Sequence, residues 1–424
     1  MTNYRWRIVG LLFVATTINY LDRQVISLLK PTLETIFNWT ETDYSHIVMA
    51  FQAAYALSYV VFGRLIDKIG TKLGYVLAVF IWSIAAVLHA IATSTFSFGV
   101  YRALLGLGEG GNFPAAIKTV AEWFPRHQRA LATGLFNAGT NIGAVVAPIA
   151  VPWILGAYGW QVAFILTGLI GFIWLFFWWW SYNTPQQHKH VSAQELAFIT
   201  QDTEMTTDKA PNVRWLDLIQ YRQTWAFILG KLLTDPVWWF FLFWLPSYFA
   251  ASFNLDLKKP SLPLIIVYTA ATIGSVGGGY LSGYFLSRGW TINRSRKTAM
   301  FLYALCIVPI VLTRYATSIW EVVGLLSLAV AAHQAWSANL FTLVSDMFPK
   351  SAVSSVVGLG GMAGSVGGLL FPIVVGALLD TYKAQGNITV GYNYLFVMCG
   401  SAYLLAWLLI HLFAPRIQPL ERDV

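Results

Sequence analysis

The chain has 424 residues, of which 57% are apolar and only 11% charged, with a formal net charge of +8. So few charges cannot cover a soluble globule of this size, which excludes a water-soluble protein and makes lipid the solvent for much of the chain. The positive balance does not read as a nucleic-acid footprint, because the cations fall in short loops between apolar runs.

Apolar runs of about twenty residues are long enough to cross a bilayer core. They predict twelve spans, at 6–29, 45–65, 73–93, 96–118, 130–154, 160–182, 223–249, 262–287, 298–315, 319–344, 352–379 and 390–414. The first is not a cleavable signal, since it runs on through Asn19-Tyr20-Leu21-Asp22-Arg23 without a small-residue cleavage site. The sixth ends on Phe176, Phe177, Trp178, Trp179 and Trp180, a belt expected at a membrane–water interface. A polar linker over 183–222 follows, holding Pro185, Gln186, His188, Lys189, His190, Glu195, Asp202, Glu204 and Asp208. His188 and His190 are expected in solvent there, not on a metal. The linker separates a first six-helix half, 1–182, from a second, 223–424. About 19 Lys and Arg fall on the side of the linker and both termini, and about five (Lys30, Lys258, Lys259, Arg314, Lys383) on the other. The positive-inside tendency then expects both termini in the cytoplasm. Cys306 and Cys399 lie in apolar stretches and suggest neither a metal site nor a disulfide framework.

An internal repeat relates the halves. Glu122-Trp123-Phe124-Pro125 is echoed by Asp346-Met347-Phe348-Pro349 at an offset of 224, which also carries Gly134 onto Gly358, Gly143 onto Gly367 and Pro148 onto Pro372. Five coincidences at one spacing imply a duplicated unit.

Residues 63–72 read GRLIDKIGTK, which resembles the G-x3-D-[RK]-x-G-x-[RK] loop signature of the major facilitator superfamily. Gly63 would allow close helix approach, Asp67 would pair with cations or cap a neighbouring helix end, and Lys68 and Lys72 would mark the inner rim. The matching loop of the second half has Gly283 where an acid often stands. The strings NYLDR (19–23), YRALLGLGEGGNFP (101–114), EWFP (122–125), KLLTDPVWWFFLFWLP (231–246) and HQAWSANLFTLVSDMFP (333–349) resemble the anion:cation symporter family within it. The last two are most similar to its bacterial hexuronate branch, which takes up galacturonate and glucuronate. The resemblance implies an all-α membrane protein with the major facilitator fold, twelve transmembrane helices in two pseudo-symmetric six-helix bundles. It implies a transporter in the inner membrane rather than an enzyme, with no cofactor and no nucleic acid. Its partners would be protons, lipid and a small anionic substrate, and it would be monomeric.

Charges inside lipid are costly and need a partner or a wet cavity. The first, fourth and seventh spans carry Asp22, Arg23, Arg102, Glu109, Lys231 and Asp235, and the tenth carries His333. The resemblance implies that these spans line one central chamber. Arg102 and Glu109, seven residues apart, share a helix face, and the repeat carries Glu109 onto His333. Glu109 is the candidate coupling acid, with a static Arg102–Glu109 bridge as the alternative. By resemblance Asp22 would be a second protonation site and Arg23 a carboxylate-binding cation. Lys231 would be a further anion anchor, with Asp235 its resting partner, and Pro236 would break the seventh helix. Tyr20, Gln52, Tyr55, His333, Gln334 and Asn339 are the candidates for sugar hydroxyls.

GLGEGG (106–111) fits a dinucleotide-binding pattern but sits in an apolar span with no preceding strand, so tight helix packing explains it better. No nucleophile or metal constellation speaks for an intramembrane enzyme, and the linker is too short for a sensor's signalling domain. A different sugar acid or carboxylate, such as galactonate or glucarate, and sodium coupling remain open readings.

Overall fold

The computed structural model describes residues 3–39, 41–201, 215–254 and 262–419. Lys258 and Lys259 of the cation count, and Asp202, Glu204 and Asp208 of the linker, lie outside the described residues. Within them the chain is helical, without a strand. The first bundle holds α1 (Tyr4–Phe37), α2 (Glu41–Ile69), α3 (Thr71–Leu88), α4 (Thr95–Glu109), α5 (Asn112–Trp123), α6 (Arg126–Tyr158) and α7 (Trp160–Ser181). The linker contributes α8 (Ala193–Thr200). The second bundle holds α9 (Arg222–Phe253), α10 (Leu262–Ser287), α11 (Ile292–Ile307), α12 (Ile319–Met347), α13 (Val353–Ala384) and α14 (Ile388–Phe413).

Twelve crossings result, because α4 with α5 makes one, and α11 with the 3-10 helix Val308–Tyr315 another. The helices outrun the apolar stretches, since backbone groups stay paired through the polar ends as well as the lipid-facing middle. The fourth span, expected as one helix, breaks at Gly110–Gly111 directly after Glu109. Helix α9 runs unbroken through Pro236, where a break was expected. The Leu232 carbonyl, which Pro236 leaves without its usual donor, faces Gly367 of α13, and the helix continues on both sides. Local chemistry sets several ends. Ser94 caps α4 in a reciprocal box with Ser97, Ser318 does so for α12 with Glu321, and Gly70 takes φ 88° at the α2–α3 turn, a backbone that side chains resist.

Within the bundles α1 packs on α6, α2 on α4, α3 on α7, α10 on α12, and α9 on α13 and α14; the bundles meet through α2 with α13 and α6 with α10. Repeat-related glycines do the same job in each half. Gly134 of α6 and Gly358 of α13 press on the opposite bundle at Ser275 and Tyr59, while Gly143 and Gly367 press on their own bundles at Thr17 and Leu232. Gly106, Gly108, Gly110 and Gly111 seat α4 and α5 on Phe51, Trp82, Ser58 and Ala78, the close approach that small residues permit. Of the aromatic belt, Phe176, Phe177, Trp179 and Trp180 are exposed, whereas Trp178 turns inward and donates Nε1 to the Lys72 carbonyl at 3.3 Å.

The linker helix docks on the first bundle. Buried Glu195 accepts from the Tyr4 and Arg5 backbone N–H groups at 3.1 and 3.2 Å and from Arg5 Nη1 at 3.0 Å, so a linker carboxylate holds the first turn of α1. Lys72 Nζ donates to Asn183 Oδ1 at 3.0 Å. His190 is exposed, but His188, expected in solvent, is buried between Tyr4 and Trp123, at ring distances of 4.2 and 5.5 Å. That burial pushes its imidazole below the usual histidine range.

Candidate functional site

Nine helices among the described residues are long and apolar enough to cross a membrane; α1, α4, α5 and α9 are not among them. Three of these four carry the intramembrane charges, and the pair on α9 lies on the wall of a cavity between the bundles. From the first bundle the cavity is lined by Tyr20 of α1, Tyr55 and Tyr59 of α2, Phe113 of α5, and Asn137 and Thr140 of α6. From the second come Lys231, Asp235, Trp238 and Trp239 of α9, His333, Gln334, Ser337 and Phe341 of α12, and Gly361 and Ser365 of α13. The cavity volume is about 50 Å³. One water needs about 10–15 Å³ on that measure, so a few fit.

On the second-bundle wall, Lys231 Nζ lies 2.6 Å from Asp235 Oδ2 and over the Phe341 ring at 4.4 Å. His333 stacks on Trp238 at 5.1 Å with planes 1° apart, and its Nδ1 is hydrogen-bonded with the Tyr403 hydroxyl. Gln334 Oε1 accepts from Asn137 Nδ2 at 2.8 Å, a hydrogen bond between the bundles.

Of the first-bundle charges, Arg23 sits one layer behind the wall. Arg23 lies over the rings of Tyr20 and Tyr55 at 4.7 and 4.6 Å, and its Nε and Nη2 donate to Glu109 Oε2 at 3.1 and 3.0 Å. Spacing on α4 pointed to Arg102 as the partner of Glu109. Arg102 does share that face, but its Nη2 reaches the Arg23 carbonyl at 3.2 Å, and the cation gripping Glu109 comes from α1. Asp22 is buried against Thr167 of α7, with Glu109 and Arg102 close enough to act on its charge. Two hydroxyl-binding candidates stand apart from the cavity lining. Gln52 is half-buried on α2, and Asn339 spends its amide on the Gly278 and Ala335 carbonyls at 3.1 and 2.9 Å.

Towards the linker the bundles are sealed. Asp67 accepts from Lys118 Nζ at 3.0 Å and from the backbone N–H groups of Ser354 and Ser355, at 3.3 and 2.7 Å, in the first turn of α13. It both pairs with a cation and caps a helix of the other bundle. Gly63 presses on the Ser354 carbonyl at the same crossing, while Lys68 is exposed. At the second crossing Gly283 meets the His127 carbonyl, leaving no room for an acid. There Asp346 binds Arg296 Nε at 2.9 Å and Arg129 Nη1 at 3.6 Å, and Arg296 Nη2 donates to the Arg126 carbonyl at 2.8 Å.

Sequence reasoning passed over Tyr59, Asn137, Thr140, Trp238, Trp239, Ser337 and Ser365. Three of them were signalled: Tyr59 follows Tyr55 by one turn, and Asn137 and Thr140 form a polar stripe on an apolar helix.

Comparison with known proteins agrees with this architecture. The hexuronate transporter of Escherichia coli K12 is 32% identical over 410 residues, covering 96% of this chain and 93% of that protein. The galacturonate transporter of Dickeya chrysanthemi is 31% identical over 308 residues, covering 72% and 89%. The structure of the proton:xylose symporter XylE bound to a bromodeoxyglucose superposes with a TM-score of 0.73 at 17% identity, covering 98% and 97%, a likeness of fold. Residues 12–372 match the profile of the Major Facilitator Superfamily, to which this chain belongs.

Proposed function

We propose that this secondary transporter carries a hexuronate, galacturonate or glucuronate, into the cell together with protons by alternating access. It would sit in the inner membrane with the linker and both termini cytoplasmic, an orientation supported by the cation bias of the loops. The observation that carries the reading is the cavity itself, which lies between the bundles, is sealed towards the linker, and has Lys231 on its wall and Arg23 one aromatic layer behind it. Lys231, with Arg23 and Arg102, would compensate the substrate carboxylate, and Tyr20, Tyr55, His333 and Gln334 would meet its hydroxyls. Protonation of Glu109 would loosen Arg23 from its two-nitrogen contact and let it turn to the cavity, with Asp22 as a second site. With the linker side sealed, loading would proceed by parting of the bundles on the face away from the linker. The names of the two bacterial relatives support the substrate class.

Proteoliposomes test the reading. Uphill galacturonate uptake driven by an imposed pH gradient is expected, and accumulation indifferent to that gradient contradicts proton coupling. Glu109→Gln should keep counterflow exchange and lose proton-driven accumulation. Competition by galactonate and glucarate decides among sugar acids.

A further inference from the structure

Among the described residues, an anion entering the cavity meets one cation on its wall, and that cation is already matched. Lys231 Nζ is 2.6 Å from Asp235 Oδ2. Asp235 is the only carboxylate among the described residues that line the cavity. Its side chain is 20% exposed, whereas that of Glu109 is fully buried behind Arg23. Gly364 of α13 packs directly on the Asp235 carboxylate. With both groups ionised the wall is neutral. A carboxylate added to it would leave net negative charge in a space of low dielectric, where Coulomb energies are largest.

We propose that Asp235 is a further coupling acid, which takes up a proton as the substrate carboxylate takes over Lys231. The inference rests on the reading of the cavity as a sugar-acid site. Before loading, the Lys231 ammonium is paired with the Asp235 carboxylate. A proton from solution binds Asp235 Oδ2, the ion pair ends, and the ammonium turns its donors to the substrate. One anion and one proton enter together, so the wall stays neutral, and release reverses both. The other titratable groups facing Asp235 serve it less well. From α12, His333 is clamped between Trp238 and the Tyr403 hydroxyl of α14. Tyr20 of α1 and Tyr55 and Tyr59 of α2 bring hydroxyls, and α13 brings only Gly361, Gly364 and Ser365.

The test is the pH dependence of galacturonate binding to the purified full-length protein, followed by calorimetry. Each proton taken up with substrate raises Kd by about tenfold per pH unit once its acceptor is ionised in the free protein. Wild type should show that rise. Asp235→Asn should lose about one proton's worth of the slope and, with Lys231 unmatched, bind about tenfold more tightly than wild type at the alkaline end. Should Asp235→Asn fail to fold, Asp235→Ser, which is smaller against Gly364, gives the same readout. A slope unchanged in the folded variant overturns the inference and leaves the proposed function standing, as does a slope lost in His333→Gln instead. Absence of sugar-acid binding by wild type overturns the proposed function and this inference with it.

Discussion

At the scale of single residues, the arrangement around Arg23 carries the most chemistry. One guanidinium covers two cavity tyrosines and grips a buried glutamate with two nitrogens. Lysine reproduces the charge but neither the fork nor the stacking. Arg23→Lys should therefore lower transport about tenfold to a hundredfold, the equivalent of about 1.5–3 kcal/mol for a hydrogen bond to a charged group. Initial uptake rates check this, and an undiminished rate would place Arg23 outside the working site. The pairing also marks a limit of reading the chain alone. The spacing of Arg102 and Glu109 identified a shared helix face, and both do point to α1. Which cation of the facing helix arrives there depends on a contact across 86 positions, and no periodicity within α4 encodes it. The Lys231–Asp235 pair, one turn apart on α9, lay within the reach of such reasoning.

At the scale of elements, the glycines of α4 and the docked α8 make separate predictions. A Cβ at Gly108 would lie 2.5–2.8 Å from backbone and Cβ atoms of Trp82, which cannot swing aside. Gly108→Ala should cost about 1–3 kcal/mol, as overpacking does, seen as a lower melting temperature of the purified protein. Glu195→Ala should cost about 3–5 kcal/mol locally, because it leaves the buried Arg5 without its carboxylate. Faster hydrogen exchange over α8 and the start of α1 is the expected sign. Docking should also weaken as pH falls. His188 has a depressed pKa in the folded state, so the neutral form stabilises the contact above the free-histidine value of about 6.5 and that stability declines below it. Apolar-run length made the crossings legible. It could not show the break after Glu109, where Gly110 meets Ser58, or the burial of His188 between Tyr4 and Trp123.

At the scale of the whole molecule, the linker-side seal is asymmetric. Crossing α2–α13 is held by a carboxylate on a helix start, whereas crossing α6–α10 closes on glycines at Gly134 and Gly283, with the Arg129–Asp346–Arg296 ion pairs beside them rather than a carboxylate cap. Asp67→Asn keeps the shape and removes the charge, so it should release the first crossing selectively. A cysteine placed at Ser337 in the cavity should then react several-fold faster with a polar reagent added from the linker side, and an unchanged rate would show that charge contributes nothing to the seal. The repeat in the sequence announced two related bundles, and the absent acid at Gly283 announced that their gates differ.

The dependence of the site on α1, α4 and α9 bears on how the protein is made. These helices fall outside the set long and apolar enough to cross by themselves, and their charges are matched only in part within one helix. Glu109 has its gripping cation on α1, which is synthesised first and emerges from the ribosome long before α4. During biogenesis α1 would then hold Arg23 in the insertion machinery, or near an interface, until its acid arrives. Assembly order would thus be written into the same residues proposed to serve the cavity.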